Sequence, residues 1–176
     1  MMESSLALVE LSPTPAPWPA AHIEIALDED IPDERRVRVE TRLGAMSLDR
    51  SRVMRLPGGL PGFPGAASFA LVRMPGERFK PFLLMQLIED PSTSFFVLPL
   101  DLNGGLHERE DLVVAGRSLG IAERDLGVLA IATLRRAEEG VVITLNLRAP
   151  ILIDIAGLKA WQHIMENERY PIRFRI

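Results

Sequence analysis

Nine residues, Arg55-Leu56-Pro57-Gly58-Gly59-Leu60-Pro61-Gly62-Phe63, constrain this chain more than any other stretch. Proline holds φ at about −65° and carries no backbone donor, whereas glycine tolerates positive φ. A run so rich in both can be neither helix nor central strand. Pro61-Gly62 suits the two central positions of a type II turn, whose second residue needs positive φ. The stretch therefore reads as a rigid, doubly turned loop with Leu60 and Phe63 as its apolar anchors. Phe63 is expected to plug the core, as single aromatics at strand entries commonly do, with a partner contact as the alternative.

Around this loop the apolar residues come in strand-length runs. Val37, Val39 and Thr41 alternate with Arg38, Glu40 and Arg42, the period of a half-buried strand. Gly44 then turns the chain, and Ala45 to Leu48 with Val53 to Leu56 reads as a second, interrupted strand. Beyond the loop come Phe69 to Met74, Phe82 to Ile88 and Phe95 to Leu98, bounded by Pro75-Gly76, Asp90-Pro91 and Pro99. Phe95 and Phe96 point to opposite faces, so at least one belongs in the core. Leu126 to Leu134, a Glu138-Glu139-Gly140 turn, Val141 to Leu147 and Ile151 to Ile155 continue the pattern. Trp161 to Phe174 is ambiguous between strand and short helix. Such spacing predicts a mostly β fold, a small antiparallel β-barrel-like domain with one or two short helices. The convincing helix runs from Glu110 to Leu119: acids open it, Leu112, Val113, Ala115 and Leu119 form a stripe, and Gly120 stops it. Gly116 inside it costs about 1 kcal/mol relative to alanine.

Charge divides the chain. Residues 1–36 hold eight acids and two arginines, a net −6, and residues 37–176 carry +2. Ser12-Pro13-Thr14-Pro15-Ala16-Pro17-Trp18-Pro19 reads as polyproline-like, so residues 1–36 are expected to form a disordered acidic leader ahead of a domain at 37–176. A proline-groove motif anchored by Trp18, or an acidic arm meeting a basic partner, are the sharper alternatives. The near-neutral remainder lacks the basic surface of a nucleic-acid binder. With no cysteine there is neither disulfide nor thiolate chemistry. The N-terminus lacks the basic start of a secretory signal, and no apolar run approaches the roughly eighteen residues of a membrane span. A cytoplasmic protein, monomeric when free, is expected.

Chemistry has few candidates. His107 sits where a loop meets the helix and reads as solvent-facing; His163 could pair with Glu166 only if that segment is helical; His22 lies in the leader. No Walker loop or dinucleotide fingerprint occurs, and the glycines at 58–65 are followed by a strand rather than the helix a phosphate cradle needs. No cofactor, metal or catalytic residue is expected. Function then rests on surface, and the candidate partner-binding residues are Pro61, Gly62, Phe63, Phe95, Asn146 and Arg148. Asn146 reads as bonding local backbone at a strand end, and Arg148 as exposed.

Leu56 to Phe63, together with Asn146-Leu147-Arg148-Ala149-Pro150-Ile151, resembles the two signature segments of the flagellar assembly factor FliW family. The resemblance covers about Val37 to Ile176. It implies a non-catalytic β-barrel-like domain that binds flagellin and the translational regulator CsrA. On that reading, flagellin export frees the protein to capture CsrA and relieve repression of flagellin synthesis. A flagellin-specific chaperone without CsrA binding is the alternative, and a small β-barrel enzyme using His107 or His163 a distant one. Where many relatives have Asn and Glu in the first segment this chain has Gly58 and Pro64; Leu98-Pro99 and Asp154 also depart from the pattern.

Overall fold

A computed structural model describes residue 23 and residues 28–74, 80–138 and 140–176. Ten strands and one helix follow in order: β1 (Arg36–Thr41), β2 (Gly44–Asp49), β3 (Met54–Arg55), β4 (Ser68–Arg73), β5 (Leu83–Leu87) and β6 (Ser94–Pro99). Then come α1 (Arg109–Ser118), β7 (Leu126–Ala137), β8 (Gly140–Asp154), β9 (Lys159–Gln162) and β10 (Phe174–Arg175). β1 and β2 form their own hairpin. The main sheet runs β10-β8-β7-β6-β5-β4-β3-β9, and β9 pairs back onto β8, closing a seven-stranded barrel. Among the described residues β3–β9 is the one parallel pairing. Closure joins the edges of the seven barrel strands, which would otherwise be open to unwanted pairing, and leaves β10 outside the ring on β8.

The apolar runs are continuous because the central strands are buried on both faces. Phe69, Met85, Val97, Leu129, Ile151 and Ile153 fill the barrel interior. Their neighbours in sequence, Leu98, Val128 and Leu152, point outward into a second cluster with Leu145 and Leu147. Leu112 and Ala115 of α1 and the C-terminal residues Met165 and Tyr170 cover that outer layer. Phe95 and Phe96 divide accordingly: each is half-buried, Phe95 against the interior and Phe96 against the outer layer.

α1 ends in a Schellman arrangement, with Gly120 at φ 77° and the Ile121 and Gly120 amides donating to Gly116 and Arg117 carbonyls, both at 3.0 Å. Gly116 has a packing reason. A Cβ there would come within 3.0 Å of the Leu126 side chain, so glycine lets the helix lie close on β7.

The two strands expected over 141–155 are one. β8 runs unbroken through Pro150, because a wide bulge absorbs the proline: the register with β7 passes from Leu129↔Ile151 to Ile131↔Asn146. Trp161 to Phe174 is neither wholly strand nor helix. It contributes the end of β9 and the start of β10, with irregular chain between. The proline-rich run, Trp18, His22, the Pro75-Gly76 turn and Glu139 lie outside the described residues. Of the acidic stretch, Asp28–Asp30 form a 3₁₀ turn, Ile31 is buried, and Arg36 donates to the Ile31 carbonyl at 2.7 Å. Ile23 packs against the barrel interior cluster.

Candidate partner-binding surface

Three consecutive i→i+3 bonds build the glycine–proline loop. The Gly59 amide donates to the Leu56 carbonyl at 2.9 Å, Phe63 to Leu60 at 2.9 Å, and Ala66 to Phe63 at 3.0 Å. The middle turn places Pro61 and Gly62 centrally, with Gly62 at φ 84°, as a type II turn requires. A bond from the Leu56 amide to the Ala67 carbonyl at 2.7 Å closes the base. Beside that base Glu89 accepts from the amides of Ala67 and Ser68 and from the Ser68 hydroxyl. Burial raises the Glu89 pKa, but these hydrogen bonds outweigh it and hold the carboxylate below its ordinary value.

The loop sorts its apolar side chains by face. Leu56, Leu60 and Ala66 enter the barrel interior. Phe63 does not plug the core as expected: it is 37% exposed and meets the Phe95 ring edge-to-face, centroids 5.0 Å apart. The turn between Leu60 and Phe63 sends Leu60 inward and leaves Phe63, Pro61 and Gly62 on the surface. Gly58 and Pro64 beside them are exposed too.

Asn146 and Arg148 lie on β8, in the bulge. Asn146 shares a cross-strand row with Ile131 and Val97, two residues along from the Phe95 position on β6. Its Oδ1 accepts the Ala149 amide at 3.0 Å, the local backbone bond expected of it. Arg148 is half-buried rather than exposed, because its guanidinium donates to the Asn167 carbonyl at 3.2 Å. The bulge is a seat for the chain's own C-terminal segment. Leu147 and Arg148 amides donate to the Pro171 carbonyl, Met165 to Arg148, His163 to Pro150, and the Gln162 side chain to Ala149. Asp154 is likewise engaged locally, accepting the Gly157 amide at 2.9 Å.

His107 overturns the solvent-facing expectation. It is 5% exposed, with Nε2 2.7 Å from the Leu147 carbonyl, and its ring lies 4.5 Å from that of Tyr170. Among the described residues Nδ1 has no hydrogen-bond partner. Burial lowers the imidazole pKa, so the neutral Nε2–H form donates to Leu147. The Tyr170 hydroxyl donates to Asp111 at 2.6 Å, and that bond first, then Asn167 and Arg169, holds the carboxylate below its ordinary value. This cluster ties α1 to the bulge and the C-terminal segment. His163 is not helical, so no shared helix face with Glu166 arises. Among the described residues no group of three or more His, Asp or Glu side chains is placed to hold a metal ion. No helix there is long and apolar enough to cross a membrane.

The structure thus brings Phe63 and Phe95 together, places Arg148 on the C-terminal segment, and has Asn146 brace the bulge that seats it. The family model described as FliW protein matches residues 38–176. The chain belongs to the FliW family. Relatives named flagellar assembly factor FliW include one from Syntrophus aciditrophicus, 31% identical over 77% of this chain and 84% of its own. Another, from Heliobacterium modesticaldum, is 30% identical over 80% of this chain and 90% of its own. A crystal structure of the flagellar assembly factor FliW shares the fold, with a TM-score of 0.57 at 23% identity over 80% of this chain and 95% of that one. FliW proteins are flagellar assembly factors and not enzymes.

Sequence reasoning passed over the exposed C-terminal strand. Its signal was present: Ile172-Arg173-Phe174-Arg175-Ile176 alternates with period two. The His107–Tyr170 contact had no local signal, since the two residues are far apart in the chain.

Proposed function

We propose that this chain binds flagellin and CsrA in competition in the cytoplasm, releasing CsrA-repressed flagellin synthesis once flagellin is exported. Family membership supports the flagellar role. The observation that carries the binding surface is the exposed Phe63, held edge-to-face on Phe95 by a loop with little freedom. An aromatic anchor immobilised before binding loses little conformational entropy on association, and such residues dominate interface energetics. Pro61 and Gly62 extend the patch; Asn146 and Arg148 act through the bulge that shapes the neighbouring surface. Competition needs no further device, because the partner in excess over its dissociation constant holds the protein.

Titration calorimetry with flagellin, then CsrA, then both, tests this reading. Displacement of one by the other supports the switch, and Phe63→Ala should weaken at least one complex by tenfold or more. Binding to neither partner would overturn it. A second reading, flagellin binding alone, draws on Gly58 and Pro64: both are exposed in the loop that carries Phe63, at positions where the family resemblance implies polar side chains. Retained flagellin binding with no CsrA heat would select it.

A further inference from the structure

β10 is the outermost strand of the main sheet, and among the described residues its single neighbour is β8. The Ile176 amide donates to the Ile143 carbonyl at 3.1 Å. Backbone groups alternate in direction along an antiparallel strand, so Arg175, between Phe174 and Ile176, turns its N–H and C=O groups away from β8. Among the described residues no further strand pairs with that edge.

The side chains alternate as well. Phe174 pairs across β8 with Leu145, and Ile176 lies against Ile143, which pairs with Leu134. Ile172, Phe174 and Ile176 are 65%, 36% and 50% exposed, so an apolar ledge reaches the strand edge. Arg175 turns onto the opposite face, and Arg173 lies just before β10. Arg175 pairs with Thr144, and two residues along β8, on the same face, Val142 pairs with Arg135. All three arginines are exposed, and none has a carboxylate partner among the described residues.

We propose that β10 accepts an extended, acidic segment of a partner protein as an added strand, with carboxylates at alternate positions and apolar side chains between them. Main-chain bonds to the edge supply affinity and alternate side chains supply specificity in this kind of recognition. Carboxylates opposite Arg173 and Arg175 complete the unpaired charge, while the apolar positions cover the ledge. A second copy is a poor occupant. Any antiparallel register of β10 on itself that keeps apolar on apolar sets arginine against arginine, and like charges directly opposite destabilise a strand pair. This surface is independent of the Phe63–Phe95 patch and of which flagellar partners that patch binds.

The test uses the full chain and a labelled, monomeric heptapeptide alternating valine and glutamate, followed by fluorescence anisotropy. Wild type should bind it, and the R173E/R175E variant should bind at least tenfold more weakly while taking up the corresponding valine–lysine peptide. Both substituted side chains are exposed, and circular dichroism checks that the variant is folded. Amide exchange gives the direct readout: the Arg173 and Arg175 amides should slow on binding, with Ile176, already bonded, changing least. Absence of peptide binding, equal affinity for both peptides, or unchanged exchange at Arg175 would overturn the proposal. So would a concentration-dependent dimer abolished by R173E/R175E, which would make a second copy the occupant.

Discussion

Replacing His107 by phenylalanine separates volume from hydrogen bonding at the junction of α1, β8 and the tail. The ring-sized space stays filled and the contact with Tyr170 persists, but the Leu147 carbonyl loses the Nε2 donor held at 2.7 Å. Leu147 is itself buried, so its carbonyl is left without that bond away from water. Stranding a buried acceptor costs about 1–3 kcal/mol, and His107→Phe should lose that much above pH 7. The difference should then shrink on acidification. Burial lowers the folded-state pKa of His107 below 6.5, so the unfolded chain takes up its proton first as pH falls. Wild-type stability is therefore fully present above about 6.5 and declines below it, with a slope of at most about 1.4 kcal/mol per pH unit from this group. The phenylalanine variant lacks that contribution. His163, also lowered by burial, is common to both proteins and cancels in the difference. Urea unfolding between about pH 5 and pH 8, read by tryptophan fluorescence, measures it. A stability difference independent of pH, or a wild type that gains on the variant as pH falls, would refute a neutral, buried His107.

Other consequences are simpler to read. The Phe63–Phe95 contact should appear in a double-mutant cycle to alanine as a coupling of about 0.5–1.5 kcal/mol in folding stability; a coupling near zero would mean the rings do not touch in solution. Asn146→Ala should cost about 1 kcal/mol by losing the bond to the Ala149 amide, and Asn146→Asp, which keeps the acceptor, should retain most of it; equal losses in urea denaturation would count against the bulge geometry. Gly62→Ala should destabilise by about 1–2 kcal/mol, because φ at 84° is costly for any residue with a Cβ, and thermal unfolding would expose a neutral outcome.

Much of the fold was legible in local pattern. Proline and glycine act through their own backbone, so the turn at Leu60–Phe63 could be read without knowing what surrounds it. The same holds for the β1 alternation and for the acids and the glycine stop that bound α1. Burial on both faces was less legible, because a doubly covered strand loses the alternation that marks its two sides; Val97 and Leu98 look alike in sequence and face different cores. The candidate surface divided in the same way. The loop that carries Phe63 was evident, but the inward turn of Leu60 and the outward turn of Phe63 depend on the barrel end that receives them.

By itself, then, the sequence determined the mostly β character, the rigid loop, the helix and its glycine stop, and the lack of thiol chemistry, since each follows from residue type and short spacing. Tertiary structure alone decided that β8 runs through Pro150, that His107 is buried against Tyr170, and that Arg148 holds the tail. It also decided that β10 is the outermost strand of the main sheet among the described residues. The physical reason is range. Those outcomes depend on which distant segment fills a hydrogen-bonding seat or covers an apolar face, and closure of the barrel chooses that segment.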